Sequence, residues 1–374
     1  MKDARDVLFA SKQIYDLSGT EALFVQAIKD SVEHHRKNCP FYSSLLQSDG
    51  FDPEYIQTAE DCAKIPVIPA SFFKYHEVTS VPSKEIEVHA TSSGTQGQKS
   101  QMFFDERSIS AGIRMVTRVM RHHGLVSLVP TNYIMLGYEP SEGNEMGAVK
   151  TAMGVTRFAP AKERAFALKA TAKGYEVDKF GLLNALKRYA RQGLPVRFVG
   201  FPAYLYFFLD TLREEGIRFK LNKRSKVLLG GGWKQFNELM IKKETLYSMA
   251  EALLGIPSEN IRDFYSAVEH SVAYAECRNH RLHVPVYSRV FIRDARTLKP
   301  LGFGEPGILS FVTPLVTSAP LTSIMMGDIA VLYDGKDCGC GIKTPYFEVL
   351  GRSGAGKMRN CAIAASEYMA GEKA

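Results

Sequence analysis

A short segment rich in hydroxyls and glycines is the part of the sequence best suited to gripping phosphate. It reads Thr91-Ser92-Ser93-Gly94-Thr95-Gln96-Gly97-Gln98-Lys99 and follows a predicted strand, Ile86–Ala90. Hydroxyls and the backbone N–H groups that glycine exposes can surround polyphosphate oxygens, and the lysine charge offsets theirs. The spacing is not that of a Walker loop. Because Ser/Thr/Gly clusters also form ordinary polar turns, the segment alone leaves both interpretations open.

Further motifs with residue types suited to a nucleotide follow in order along the chain. Magnesium prefers hard oxygen ligands such as carboxylates, and adenine packs well on a flat aromatic ring. Each motif alone has a plain alternative, namely a solvated glutamate, an aspartate in a turn or a charge in a tail. The motifs are Gly230-Gly231-Gly232, Tyr265 with Glu269 four residues later, Gly304–Leu309, Gly327-Asp328 and Gly351-Arg352.

This ordered series resembles the motifs of the adenylate-forming superfamily of acyl-CoA synthetases and adenylation domains. The resemblance implies that the segment 91–99 holds the phosphates of ATP and that Gly230, Gly231 and Gly232 lie beside the adenine. It implies further that Tyr265 stacks on the adenine, Glu269 reaches Mg²⁺, Asp328 takes the ribose hydroxyls and Arg352 marks a hinge. The implied fold is α/β, a large N-terminal domain of mixed and parallel sheets flanked by helices, with a β portion and a lid domain that is missing or reduced to a tail.

The segment after Arg352 holds a cysteine among basic residues and glycines. Cys361 lies close in sequence to Lys357 and Arg359, a setting that favours a reactive thiolate. This ending resembles that of the LuxE acyl-protein synthetases. The resemblance implies that Cys361 accepts the acyl group, that Lys357 replaces the catalytic lysine of the lid, and that an acyl-reductase or another acyl-acceptor protein is the partner. An inert cysteine and a merely solvated lysine are the alternatives.

The function expected from these motifs is ATP-dependent activation of a carboxylic acid, a fatty acid by resemblance, as acyl-AMP, with transfer to Cys361 and on to a partner protein. An acyl-CoA synthetase of the phenylacetate type and a non-catalytic member of the superfamily are the alternatives.

Two pairs of metal-binding residue types suggest a zinc site. Cys277 and His283 form one pair, and Cys338 and Cys340 form the other, with His280 as a spare ligand. Four such ligands fill a tetrahedral site, so the zinc would be structural. The alternative is a set of free thiols.

The elements that position these residues alternate between helices and short apolar runs. Helices are predicted over Ser108–His123 and Asp178–Arg191, and strands over Tyr133–Leu136, Val196–Val199 and Val227–Leu229, as in a mainly parallel α/β sheet. Residues 1–90 are predicted to be mainly helical, with a capping box at Ser18 and Glu21. Strands over Val284–Ile292, Gly307–Val312 and Ala330–Tyr333 predict a β-rich portion at 284–350. The expected domains are therefore 1–350, and a hinge and arm at 351–374.

Composition and charge exclude several other classes of protein. The chain has 374 residues, 45% of them hydrophobic, and a net charge of +7 spread along its length. Scattered basic residues favour small anionic ligands over nucleic acid. No apolar run is long enough for a signal peptide or a membrane span, and six sparse cysteines fit a reducing compartment, so a cytoplasmic location is expected.

Overall fold

The computed structural model of the protein describes residues 3–91, 100–141, 147–172 and 174–352. The helices are α1 (Ala4–Ala10), α2 (Leu17–Asn38), α3 (Pro40–Ser48), α4 (Glu106–His122), α5 (Gly147–Val155), α6 (Lys179–Gln192), α7 (Pro202–Glu214) and α8 (Lys243–Leu254). The strands are β1 (Ile68–Pro69), β2 (Ile86–Thr91), β3 (Gln101–Asp105), β4 (Thr131–Tyr138), β5 (Ala161–Thr171), β6 (Gly174–Val177), β7 (Val196–Gly200), β8 (Lys226–Gly230), β9 (Ile261–Ala267), β10 (His270–Ala275), β11 (Leu282–His283), β12 (Arg289–Arg293), β13 (Pro306–Val312), β14 (Ser323–Tyr333) and β15 (Tyr346–Arg352).

Backbone contacts divide the chain into two compact units whose sequences interleave. Unit 1 takes its described residues from Met1–Val119, Ala267–Tyr274 and Arg281–Ala374, and unit 2 consists of those in Met120–Ser266 and Ala275–His280. This interleaving does not follow from the sequence patterns. The predicted domain limits, 1–350 and 351–374, stay a prediction.

Unit 2 contains a mainly parallel sheet with strand order β9-β8-β7-β4-β5-β6. The pairs β9–β8, β8–β7, β7–β4 and β4–β5 are parallel, and only β5–β6 among them is antiparallel. One face of the sheet packs against α6, α7 and α8, with Phe198, Val227 and Leu229 inside this core. The predicted α/β sheet is therefore confirmed, and the apolar runs of β4, β7 and β8 are buried as expected for central parallel strands.

Helix α6 shows how the local sequence fixes an element of unit 2. Asp178 caps its first turn by accepting the backbone N–H of Gly181 at 2.8 Å. Leu182, Leu186 and Tyr189 recur at helical spacing and are buried. The helix ends at Gly193, whose φ of 68° lies in the left-handed region that glycine adopts without strain. The predicted helix is confirmed at both ends.

Unit 1 contains an antiparallel sheet with strand order β11-β15-β14-β13-β12 and the short strand β1 beside β14. It confirms the predicted β-rich portion, but one boundary was wrong. Strand β12 begins at Arg289 and not at Val284, because the backbone N–H of Val286 instead donates to the carbonyl of Ile14 at 2.8 Å, just after Pro285.

The start of helix α2 also differs from its prediction. Asp16 is the N-cap residue, and its side chain accepts the backbone N–H of Gly19 at 2.9 Å. The predicted capping box at Ser18 and Glu21 is therefore wrong. Ser18 lies inside the helix and donates to Asp16. None of the helices in the described residues is both long enough and apolar enough to cross a membrane.

Candidate functional site

The predicted ribose-binding aspartate and the predicted hinge arginine are cross-strand neighbours in unit 1. Asp328 on β14 pairs with Arg352 on β15, and Arg352 Nε lies 3.4 Å from Asp328 Oδ1. The aspartate side chain is 11% exposed and the arginine side chain 74% exposed. The pairing shifts register beside them, between Ile329 and Ala330. Such bulges re-aim side chains next to functional sites. Gly351 and Arg352 are thus the last two residues of β15.

The glycine-rich segment is joined to an antiparallel hairpin in unit 1. Thr91 ends β2 and pairs with Gln101 at the start of β3. The predicted strand before the segment is confirmed and reaches one residue further, to Thr91. Ser92–Lys99 lie outside the described residues, so the phosphate-binding role of Ser92, Ser93, Gly94, Thr95, Gly97 and Lys99 remains a prediction.

Glu269, the predicted magnesium ligand, lies in the turn that follows β9. It is 8% exposed, and no basic group lies within 4.0 Å of its carboxylate in the described part of the chain. A buried carboxylate without a cation is costly. A hard divalent cation is the partner that its chemistry fits best.

The other predicted adenine-binding residues lie at the carboxyl ends of two parallel strands of unit 2. Gly230 ends β8 and pairs with Phe264 on β9, which is followed by Tyr265. Gly231 and Gly232 have φ values of 79° and 67°, which residues with a side chain rarely adopt. Ligands of open α/β sheets commonly bind at this edge. The glycine turn therefore stands where a nucleotide would be expected.

A buried carboxylate anchors the strand that carries Tyr265. Glu276 is 2% exposed and accepts the backbone N–H of Asp263 on β9 at 2.9 Å. It also accepts Lys243 Nζ at 2.7 Å and the Tyr247 hydroxyl at 3.0 Å, both from α8. His280 Nδ1 lies 3.3 Å from it. This network was not predicted, although an acidic residue directly after an apolar strand was a signal for it.

The two acids of this network have opposite pKa shifts. Burial raises the pKa of Asp263 to about 7, and the neighbouring charge of Glu276 adds to the effect. Burial would also raise the pKa of Glu276, but hydrogen bonds from His280 and Lys243 outweigh it, so that pKa is lowered. Glu276 is therefore the member that carries the charge.

Three of the four predicted zinc ligands lie together in unit 1. The ligand atoms of His283, Cys338 and Cys340 are within 4.8 Å of one another. His283 Nδ1 lies 2.7 Å from the carbonyl of Thr344, which can only accept, so Nδ1 carries the proton. This leaves Nε2, 3.3 Å from Cys340 Sγ, as the ring nitrogen that carries the lone pair. The donor set fits zinc.

The remaining sulfur and imidazole of this prediction lie in unit 2. Cys277 is buried, and the backbone N–H of Asn279 points at its sulfur at 3.3 Å. His280 Nε2 lies 2.7 Å from Ser258 Oγ, and its Nδ1 faces Glu276. Both ring nitrogens are engaged, so the suggestion that His280 is a spare ligand is wrong.

Cys361 and Lys357 lie outside the described residues, and their roles remain predictions. Aromatic residues of β7 and α7 belong to the core of unit 2. Phe198 and Phe208 are buried, and Tyr204, Tyr206 and Phe207 pack against the same cluster.

Comparison with known proteins decides the family. A model of the family described as acyl-protein synthetase, LuxE, matches residues 2–370. The chain belongs to the LuxE family. It is 24% identical over 364 residues to a protein of Vibrio harveyi named long-chain-fatty-acid–luciferin-component ligase, covering 97% of this chain and 92% of the relative. It is also 24% identical over 329 residues to phenylacetate-coenzyme A ligase of Thermus thermophilus, covering 85% of this chain and 67% of the relative.

The fold of this LuxE family member is shared with a solved acyl-CoA ligase. The structure of 2-hydroxyisobutyryl-CoA ligase in an open conformation, in complex with 2-HIB-AMP and CoA, superimposes with a TM-score of 0.66 at 17% identity. The match covers 93% of this chain and 79% of the other. The predicted adenylate-forming fold class is confirmed.

The raised pKa of Asp263 predicts how the free energy of unfolding depends on pH. A carboxyl whose pKa is raised in the folded state stabilises the fold below its unfolded pKa and loses that contribution as pH rises through about 7. As pH rises from 5 to 7, the free energy of unfolding of the unsubstituted chain should therefore fall by about 1–2 kcal/mol relative to that of Asp263→Asn. Urea unfolding at a series of pH values measures this difference.

Asp294→Asn is the matched control. Hydrogen bonds from Thr297 hold the pKa of Asp294 below its usual range, so its substitution should shift stability by a constant amount between pH 5 and pH 7. Parallel pH profiles for all three proteins would contradict the role given to Asp263.

Proposed function

We propose that this LuxE family member activates a fatty acid with ATP as its acyl adenylate, transfers the acyl group to Cys361 and delivers it to a partner protein such as an acyl reductase. The observation that carries the proposal is the family match over residues 2–370, a range that includes the glycine-rich segment and Cys361. The name of the Vibrio harveyi relative supports a long-chain fatty acid as the substrate.

In the first step a carboxylate oxygen of the acid attacks the α-phosphorus of ATP, and pyrophosphate leaves. Ser92–Lys99 hold the phosphates, and Asp328 accepts the ribose hydroxyls with a carboxylate whose Oδ1 lies 3.4 Å from Nε of the exposed Arg352. Tyr265 covers the adenine beside Gly230–Gly232. Glu269 would hold Mg²⁺, which supplies positive charge to the phosphate oxygens during the transfer.

In the second step the Cys361 thiolate attacks the acyl carbonyl and forms a thioester, and AMP leaves with the bonding electrons. The thiol has lost its proton to solvent beforehand, which the nearby cations Lys357 and Arg359 favour. The partner then takes the acyl group from the thioester. Lys357 is also the proposed counterpart of the lysine that stabilises adenylate formation.

His283, Cys338 and Cys340, with Cys277 as the fourth ligand, form the proposed zinc site. Zinc bound there would cross-link the turn that holds Cys338 and Cys340 to β11. Four protein ligands leave no position for a substrate, so the role is structural.

Asp328 provides a direct test of the nucleotide site. Asp328→Asn removes the charged acceptor for the ribose, so the KM for ATP in acid-dependent ATP–pyrophosphate exchange should rise about tenfold or more, as expected for the loss of one charge-assisted hydrogen bond. Asp334→Asn, at a partly exposed aspartate just after the same strand, is the control and should leave the KM unchanged. Equal KM values for all three proteins would remove Asp328 from the site.

Cys361 provides the test of the thioester. Cys361→Ser should keep acid-dependent pyrophosphate exchange but lose the acyl label that hydroxylamine removes from the unsubstituted protein, as seen by mass spectrometry. Cys39→Ala, at a buried thiol elsewhere in the chain, should retain both. If Cys361→Ser still forms a hydroxylamine-sensitive adduct, or makes acyl-CoA at full rate, the thiol carrier is wrong and the CoA-ligase alternative gains.

The zinc site predicts a metal content. The purified chain should contain about one zinc per molecule by elemental analysis, and Cys338→Ser should lose it together with several degrees of Tm. Cys39→Ala should keep the metal. A chain that lacks zinc after purification and whose Tm does not rise when zinc is added would refute the site.

A further inference from the structure

Three basic residues and a tyrosine lie side by side across the parallel sheet of unit 2. Arg164 on β5 pairs with Tyr133 on β4, Tyr133 pairs with Arg197 on β7, and Arg197 pairs with Lys226 on β8. Register partners on neighbouring parallel strands point to the same face and lie about 4.8 Å apart. The row therefore faces one side of the sheet.

A further cation on β9 joins the same face. Leu228 lies two residues after Lys226 and so points to the same side, and its register partner is Arg262. Val227 and Ile261 alternate with these residues and belong to the core on the opposite face. Arg197, Lys226 and Arg262 thus form a group on adjacent strands, which we call the cation row.

The cation row lies at the amino ends of its strands. Lys226 is the first residue of β8, and Arg197 and Arg262 are the second residues of β7 and β9. The glycine turn at Gly230–Gly232 lies at the carboxyl ends. The cation row is therefore separate from the residues assigned to the nucleotide.

Two members of the cation row are almost fully buried without an acidic partner. Arg197 is 2% exposed and Arg262 is 8% exposed, and Lys226 is half-buried. No carboxylate oxygen lies within 4.0 Å of any of them in the ranges that the structure describes. A buried charge that lacks a counter-charge costs several kcal/mol, so this arrangement is costly as it stands.

The hydrogen bonds of the cation row do not use all its donors. Arg197 Nη2 donates to the carbonyl of Leu125 at 2.7 Å, Lys226 Nζ to Asn260 Oδ1 at 3.1 Å, and Arg262 Nη1 to the carbonyl of Ile261 at 2.7 Å. Arg197 Nη1 and Arg262 Nε are buried and have no partner among the described residues. Buried donors are normally satisfied, so both atoms point to a missing acceptor.

The pKa values of the cation row are all lowered, as expected for buried cations that lack a close counter-charge. Burial lowers the pKa of Lys226, and the charges of Arg197 and Arg262 lower it further. Burial likewise lowers the pKa of Arg197 and of Arg262. Two acids only partly oppose these effects. Glu276 acts most strongly on Arg262, and Glu259, which is exposed on the turn before β9, acts on Lys226 and on Arg262.

We propose that the cation row binds a small oxyanion of the phosphate type, at the edge of the sheet away from the glycine turn. Two guanidinium groups and an ammonium group offer planar and point-charge donors that match a tetrahedral dianion. The bound oxyanion accepts the unused N–H groups of Arg197 and Arg262 and offsets the charge of Lys226. Because an anion that binds only the folded chain stabilises it, unit 2 is held more firmly when phosphate is present. This site is independent of the proposed adenylation.

Thermal unfolding of the full chain in inorganic phosphate tests the site. Saturating phosphate should raise Tm by about 2–4 °C above sodium chloride of matched ionic strength. Lys226→Gln should lose at least half of this rise, whereas Lys223→Gln should keep it. Lys223 is the matched control, because it is exposed on the turn before β8 and removes the same charge. Equal rises in Lys226→Gln and in the unsubstituted chain, or no rise beyond that in sodium chloride, would overturn the proposal.

Two further measurements keep the test decisive if Lys226→Gln fails to fold. Crystals of the unsubstituted chain soaked in selenate should show an anomalous peak bonded to Arg197, Lys226 and Arg262, and a saturating soak without such a peak overturns the proposal. Phenyl phosphate is compared with inorganic phosphate by the same Tm assay. A rise with both supports a phosphate group carried by a larger ligand, and a rise with inorganic phosphate alone supports the free ion.

Discussion

The in-register parallel pairing of β4, β7, β8 and β9 is the constraint on which most of the functional geometry of unit 2 depends. Parallel strands run in one direction, so each edge of the sheet gathers the same end of every strand. The carboxyl ends bring Gly230 beside Phe264, next to Tyr265. The amino ends bring Arg197 beside Lys226. A slip of one residue in either strand pair would turn the side chains of one strand to the opposite face of the sheet. The residues at each edge would then no longer lie side by side.

Buried charge is the second constraint, and unit 2 meets it in two ways. Glu276 is buried but accepts hydrogen bonds from β9, from α8 and from His280. Its carboxylate therefore holds these three segments together. The cation row has backbone and amide acceptors, but in the described part of the chain no carboxylate oxygen lies within 4.0 Å of it. A buried charge is costly without a counter-charge. Glu276 has donors around it within the fold, whereas Arg197 and Arg262 are candidates for binding an external anion.

The sequence predicted what depends on local pattern and missed what depends on long-range pairing. Helix α6 was found because its cap, apolar stripe and terminal glycine all lie in one short segment, from Asp178 to Gly193. The motif residues were found by their order, which the resemblance to a family supplied. The contact between Asp328 and Arg352 was not predicted, because it depends on the register of β14 against β15. The start of β12 was misplaced, because a backbone hydrogen bond to Ile14 competes with strand pairing there.

The hydrogen bond of His283 determines how a metal would bind beside β11. Because the carbonyl of Thr344 holds the proton on Nδ1, Nε2 is the ring atom left for a ligand, and without metal it can only accept the thiol proton of Cys340. A metal at Nε2 would displace that proton, and ligation by thiolates would release others. The affinity for such a metal would therefore fall as pH falls, since each proton competes for a ligand atom. The orientation of the imidazole, in contrast, is set by the fold and needs no metal to form.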